Sequence, residues 1–241
     1  MPTAPTEVRV QTSLLAAIEK RFLIYMAERM PTAVNSDHLT ALGGLAILLA
    51  GLCYWAAPGA PQMLIAAIVL LAINWFGDSM DGTLARVRCH ERPRYGFYVD
   101  HVLDAAGILC LVGGLILGGQ MSPGVGVGFL IAYYLLTIEI ALATHTVGTF
   151  RISYWKVGPT ELRILLAIGT LQLLRSPTVT LAGERYLLFD VAGAIAIVAL
   201  AVTFVVSVIQ NTRTLYRREP LPGKDAIRHR SCRAGGSRLT V

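Results

Sequence analysis

Apolar runs broken by few polar positions dominate this chain, and six of them are candidates for membrane-crossing helices. Leu39 to Ala57 and Val125 to Ala143 read as full-length spans. Met63 to Phe76 and Ala105 to Gly119 read as the apolar extensions of two helices whose other ends carry aspartates. Leu162 to Leu174 is the shortest and contains Arg163; its alternative reading is a re-entrant or interfacial segment. Tyr186 to Val208 is long enough to span despite Asp190. Ahead of the spans, Leu14, Leu15, Ile18, Phe22, Leu23 and Met26 recur at helical spacing within Val10 to Met30, with Glu19, Lys20, Arg21 and Glu28 between them. That pattern suits a helix lying in the membrane interface. The expected fold is an all-α integral membrane protein of six transmembrane helices with an N-terminal interfacial amphipathic helix. The expected organisation is an N-terminal segment 1–37, a six-helix domain 38–212 and a basic tail 213–241 without apolar periodicity, read as disordered.

Composition agrees with this class. The 241 residues are 54% hydrophobic and only 15% charged, which excludes an ordinary soluble domain. Charge then orients the chain. Of the 21 lysines and arginines, all but Arg175 and Arg185 lie in the two terminal segments, the 86–94 loop or the 151–163 segment. With six spans these regions share one side, which the positive-inside rule makes cytoplasmic. The expected location is a bacterial inner membrane with both termini in the cytoplasm. The net charge of +6 follows from this topology and from contact with anionic lipid, and does not argue for nucleic-acid binding. Cys53, Cys89, Cys110 and Cys232 lack CxxC spacing, so neither a zinc site nor a disulfide frame is expected.

Two pairs of aspartates sit where membrane helices tolerate few charges. Asp78 and Asp81 are spaced i,i+3, and Asp100 and Asp104 i,i+4, so each pair occupies one helix face. Four converging carboxylates repel one another unless a cation joins them, and a hard divalent ion such as Mg²⁺ takes oxygen ligands. After Asp81, Gly82 and Ala85 remove bulk, and Arg86 supplies a fork for a phosphate. Together these residues suit a diphosphate. A purely structural ion-pair network in which Arg86 neutralises one aspartate leaves three carboxylates uncompensated. A cation or proton transporter is the competing functional class, but it gives no reason for Gly82, Ala85 and Arg86.

The run Asp78-x2-Asp81-Gly82-x2-Ala85-Arg86…Gly96-x3-Asp100-x3-Asp104 resembles the signature of the CDP-alcohol phosphotransferases, also called CDP-alcohol phosphatidyltransferases, with all eight signature residues present. The connection between Arg86 and Gly96 is one residue longer than is usual in that family. Ser36-Asp37-His38-Leu39-Thr40 is similar to the family's Pro-Asn-x-Leu-Thr entry to the first span, with the Pro and Asn replaced. The resemblance implies transfer of a substituted phosphate from a CDP-linked donor, CDP-diacylglycerol or a CDP-aminoalcohol, to an alcohol acceptor with release of CMP, in phospholipid synthesis. It implies two Mg²⁺ or Mn²⁺ ions. Asp78, Asp81 and Asp100 then act as ligands, Asp104 as ligand or general base, and Gly82, Ala85, Arg86 and Gly96 lie against the nucleotide or diphosphate. Membrane lipids and a second copy of the chain are the remaining expected partners.

His101, inside Asp100-His-x2-Asp104, resembles the choline and ethanolamine phosphotransferase branch, where a histidine is a candidate base. Either His101 takes the acceptor proton or it points away from the metals, since adjacent helical residues are about 100° apart. Gly158-Pro159-Thr160-Glu161 resembles a segment of the same branch. Thr144, His145 and Thr146 are candidates to line the pocket, and Arg151, Lys156 and Arg163 to bind an acceptor phosphate or to anchor the chain at the interface.

Overall fold

The computed structural model describes residues 16–147 and 159–219. Its elements are α1 (Ala16–Arg29), α2 (Ser36–Ala56), α3 (Met63–Val87), α4 (Pro93–Leu117), α5 (Pro123–Val147), α6 (Pro159–Leu173), β1 (Thr178–Leu181), β2 (Glu184–Leu187) and α7 (Leu188–Arg218). Five helices, α2 to α5 and α7, are long and apolar enough to cross a membrane. The protein is therefore a helical, multi-pass membrane protein. α6 falls short of the sixth span expected: its 15 residues rise about 22 Å, against about 30 Å of hydrocarbon. Arg163 near its start meets Asp78 of α3, and Thr170 near its end meets Tyr54 at the end of α2, so α6 runs from the aspartates towards the opposite end of the bundle.

The helical fold carries one short hairpin that the apolar pattern does not predict. Thr178–Leu181 pairs antiparallel with Glu184–Leu187, Thr178 opposite Leu187 and Leu181 opposite Glu184. Ala182 and Gly183 turn the hairpin with φ of 51° and 90°. Two successive positive φ values define the tight turn whose twist matches the strands, and Gly183 adopts its value without strain. Tyr186, placed at the head of a span by its apolar neighbours, belongs to β2 instead.

Local signals start the helices. Pro93, Pro123 and Pro159 each occupy a first helical position, where the missing N–H costs nothing. At α2 the Asn35 N–H donates to His38 Nδ1 at 3.2 Å, so His38 serves the helix entry. Asp190, the charge tolerated in the last span, accepts from the Ser122 N–H at 2.7 Å and satisfies an orphan donor ahead of α5.

Packing centres on α2, which lies against both α3 and α4. The contacts are backbone-close. A Cβ on Gly77 would come 2.7 Å from Gly43 N and Leu39 O, so α2 and α3 cross at paired glycines. At the end away from the aspartates, Tyr54 is fully buried, shares a 2.5 Å hydrogen bond with Thr170 and meets Phe189 edge to face. α5 pairs with α7. Leu135, Ile138, Ile195 and Val198 on that pair are exposed, as expected of side chains facing lipid.

α1 packs on α3, burying Leu23 and Ala27 against Met80 and Leu84, and leaves Phe22 and Tyr25 exposed. Glu19 accepts from Trp75 Nε1 at 2.9 Å and from Thr160 Oγ1 at 3.2 Å, tying α1 to α3 and α6. Residues 10–15 of the interfacial segment, Arg151, Lys156, Gly158 and the basic tail from residue 220, with His229 and Cys232, lie outside the described residues.

Candidate active site

The crossing of α2 and α3 at Gly43 and Gly77 brings Thr40 beside Asp81. Thr40 Oγ1 lies 2.6 Å from Asp81 Oδ2 and 3.1 Å from Ser36 O, and its one proton serves either acceptor. Ser36 Oγ donates to Asp81 O at 3.0 Å. The Gly82 N–H also donates to Asp81 Oδ1. The entry segment that resembles the family's first-span motif thus supplies the hydroxyls that hold the second aspartate.

All four aspartates line one cavity. Its walls are Thr40, Gly43, Gly44 and Ile47 of α2, Asn74, Asp78 and Asp81 of α3, and Asp100, Leu103 and Asp104 of α4. Its volume is about 20 Å³, room for an occupant of about the size of one water and too little for a nucleotide. Asn74 is buried at 5% exposure, and its Nδ2 donates to Gly43 O at 3.0 Å. Its Oδ1 has no hydrogen-bond partner among the described residues.

Asp78 and Asp81 are engaged by other side chains and the backbone of the protein. Arg163 Nη2 donates to Asp78 Oδ2 at 2.7 Å, and both side chains are largely buried. Asp81 is held by Thr40 and Gly82 as above. With oxygens turned to these donors, no three acidic, histidine or cysteine side chains among the described residues form a finished metal centre. The donor chemistry nevertheless fits a hard divalent cation: four carboxylates and an orphaned amide oxygen surround a space of ionic size.

The small residues read differently from those in the helix crossings. A Cβ on Gly82 would meet only the Arg86 guanidinium, 3.4 Å away, and a Cβ on Gly96 would meet nothing within 4 Å. Internal packing requires neither glycine. Arg86 is exposed on the next turn, and its Nη2 donates to Thr83 Oγ1 at 3.2 Å. Two other cations of the 86–94 loop have structural partners. Arg88 donates to the carbonyls of Met30, Pro31 and Val34, and Arg92 pairs with Asp37.

His101 does not line the cavity. Its Nδ1 lies 2.9 Å from Phe97 O, and its ring lies on the Phe97 ring at 4.0 Å between centroids. His145 is exposed, with its ring edge-on to Phe97 at 6.1 Å. Thr144 lines a different cavity, between α5 and α7. Sequence reasoning did not anticipate Thr40, Asn74 and Gly43 as walls. Asn74 carried a signal, being one turn before Asp78 on the same α3 face. Glu139 stands inside the Val125 to Ala143 span, where its apolar neighbours hide it.

The model of the CDP-alcohol phosphatidyltransferase family matches residues 34–208, and the chain belongs to that family. No curated protein matches it in sequence.

Proposed function

From its membership of a family of membrane transferases that build phospholipids from CDP-alcohols, we infer that this chain transfers a substituted phosphate from a CDP-linked donor to an alcohol, using the four-aspartate cavity. The single observation that carries the reading is the convergence of Asp78, Asp81, Asp100 and Asp104 from α3 and α4 on one ion-sized space.

A divalent cation bound there, Mg²⁺ or Mn²⁺, would neutralise the diphosphate and stabilise the leaving phosphate of CMP. Asp78, Asp81 and Asp100 would hold that cation, with Thr40 fixing the orientation of Asp81. Arg163 holds Asp78 and keeps a guanidinium near the reacting phosphates. Arg86 forks onto the donor's phosphate, and Gly82, Ala85 and Gly96 leave the bare helix surface on which the nucleotide lies. The acceptor oxygen attacks phosphorus, the bond from phosphorus to the CMP oxygen breaks, and the hydroxyl proton passes to a carboxylate. Asp104 lines the cavity and is better placed for that proton than His101, which is not among the cavity's walls.

We place α6 as the sixth crossing, with the aspartates opening towards the cytoplasm. The even count keeps both termini with the basic loops. The experiment is CMP release by the full chain in detergent, with CDP-diacylglycerol and CDP-aminoalcohol donors tried against labelled alcohols. Turnover that disappears with EDTA and returns with Mg²⁺ or Mn²⁺ supports the reading. Turnover indifferent to EDTA removes the metal from it, and absence of CMP release with every donor and acceptor pair overturns it.

A further inference from the structure

Glu139 is buried in the middle of the pair α5 and α7, with 9% of its surface exposed. Ser207 Oγ donates to its Oε2 at 2.7 Å, and Asn211 Nδ2 to its Oε1 at 2.7 Å. Both donors are neutral, and Glu139 makes no ion pair among the described residues. A carboxylate in a membrane helix is costly unless it meets a cation or a polar cavity.

It meets a cavity. A cleft of about 210 Å³ opens beside it, lined by Thr144, Gln210, Asn211, Thr214 and Arg218. Arg218 Nη1 donates to Val147 O at 2.8 Å, eight residues along α5 from Glu139, or about 12 Å along the axis. The cleft thus has a preoriented carboxylate at its buried end, a guanidinium at its exposed end and amides and hydroxyls between. A merely structural tie between α5 and α7 would need the two hydrogen bonds but no such space. The cleft shares no wall residue with the aspartate cavity. It lies at the same end of the bundle: Thr144 precedes His145, whose ring faces Phe97, one turn before His101.

We propose that the cleft between α5 and α7 is a second binding site, for an ammonium-bearing polar head group whose cationic end sits against Glu139 and whose hydroxyl or phosphate end lies towards Arg218. Binding stands on this geometry alone. Its use, to select an amino-alcohol substrate, rests on the transferase reading. The head group comes either from a free amino alcohol or from a lipid.

The test is ligand-observed NMR on the full chain in detergent, with ethanolamine and with ethylene glycol, which matches it in size and lacks the charge. Ethanolamine should bind at least tenfold more tightly. Glu139→Gln should weaken it tenfold or more while leaving Mn²⁺ binding at the aspartates unchanged. Gln210→Trp, which fills the cleft without touching the Glu139 hydrogen bonds, should do the same. Phosphoethanolamine should bind more tightly than ethanolamine, and Arg218→Ala should erase that difference. In nanodiscs, displacement of ethanolamine by phosphatidylethanolamine but not by phosphatidylglycerol assigns the site to a lipid head group; no displacement by either assigns it to the free alcohol. Equal binding of the two probes, or unchanged ethanolamine binding in both Glu139→Gln and Gln210→Trp, overturns the proposal. A chain that binds ethanolamine but never releases CMP overturns the transferase reading instead.

Discussion

Arg163 Nη2 donates to Asp78 Oδ2 at 2.7 Å, so the one lysine or arginine of the short helix α6 is pinned to the first aspartate of α3. That bond gives α6 a position in the site that its length and hydropathy alone do not. Arg163→Ala leaves a largely buried carboxylate without its partner. The expected loss is about 1–2 kcal/mol in stability, below the value for a fully enclosed pair because both groups keep some solvent. Turnover should fall at least tenfold, while Mn²⁺ affinity holds or rises as a competing cation disappears. Arg163→Lys should lie between, since an ammonium lacks the fork. Thermal unfolding and Mn²⁺ titration separate these outcomes, and weaker Mn²⁺ binding in Arg163→Ala would reject this role for the bond.

The glycines divide into two classes with opposite phenotypes. Gly77→Val drives a side chain into the Gly43 and Leu39 backbone and should cost about 1–3 kcal/mol or prevent assembly. Gly82→Val and Gly96→Val meet almost nothing of the protein, so folding should change by less than about 1 kcal/mol. Their CMP release should nevertheless fall at least tenfold, because the added carbons occupy the nucleotide's surface. Unfolding curves and turnover on the same samples make the comparison. Normal turnover in both would remove the nucleotide from this face.

The sequence pattern was enough to locate the four aspartates, because each pair sits at a helical spacing that survives any tertiary arrangement. It could not show which neighbours hold them. Thr40 reaches Asp81 only because Gly43 and Gly77 let two helices touch, a long-range contact that no local period encodes. Asn74 offered a local clue, but its orphaned oxygen is visible only once Gly43 O takes its amide. The hairpin was missed for another reason. Ala182-Gly183 between Thr-Val-Thr-Leu and Glu-Arg-Tyr-Leu is a turn signal, yet the strong apolar run after Tyr186 outweighed it. Glu139 was hidden in the same way, one charge among apolar residues until Ser207 and Asn211 are seen to hold it.

His101 stacks on Phe97 and sits outside the cavity lining. His101→Ala should therefore lower kcat less than tenfold where chemistry limits the rate, and Asp104→Asn far more. A reversal, with His101→Ala the more damaging and a rate limb rising through the histidine titration range, would make the imidazole the base.

Topology has its own check. Cys89, exposed after α3, should react with a thiol reagent only once the cytoplasmic face is opened, and a cysteine placed at Gly183 in the hairpin should react from outside intact cells. Labelling of Cys89 from outside would place the aspartates on the wrong side for cytoplasmic nucleotides.

The most direct measurement is CMP release from a CDP-linked donor by Asp78→Asn and Asp100→Asn beside the unaltered chain. Each substitution removes one carboxylate charge from a different helix while keeping the side chain's size. The account predicts folded proteins in detergent whose turnover is lower by at least about a hundredfold, with Mn²⁺ affinity lowered in both. Near-normal turnover in both variants would contradict it.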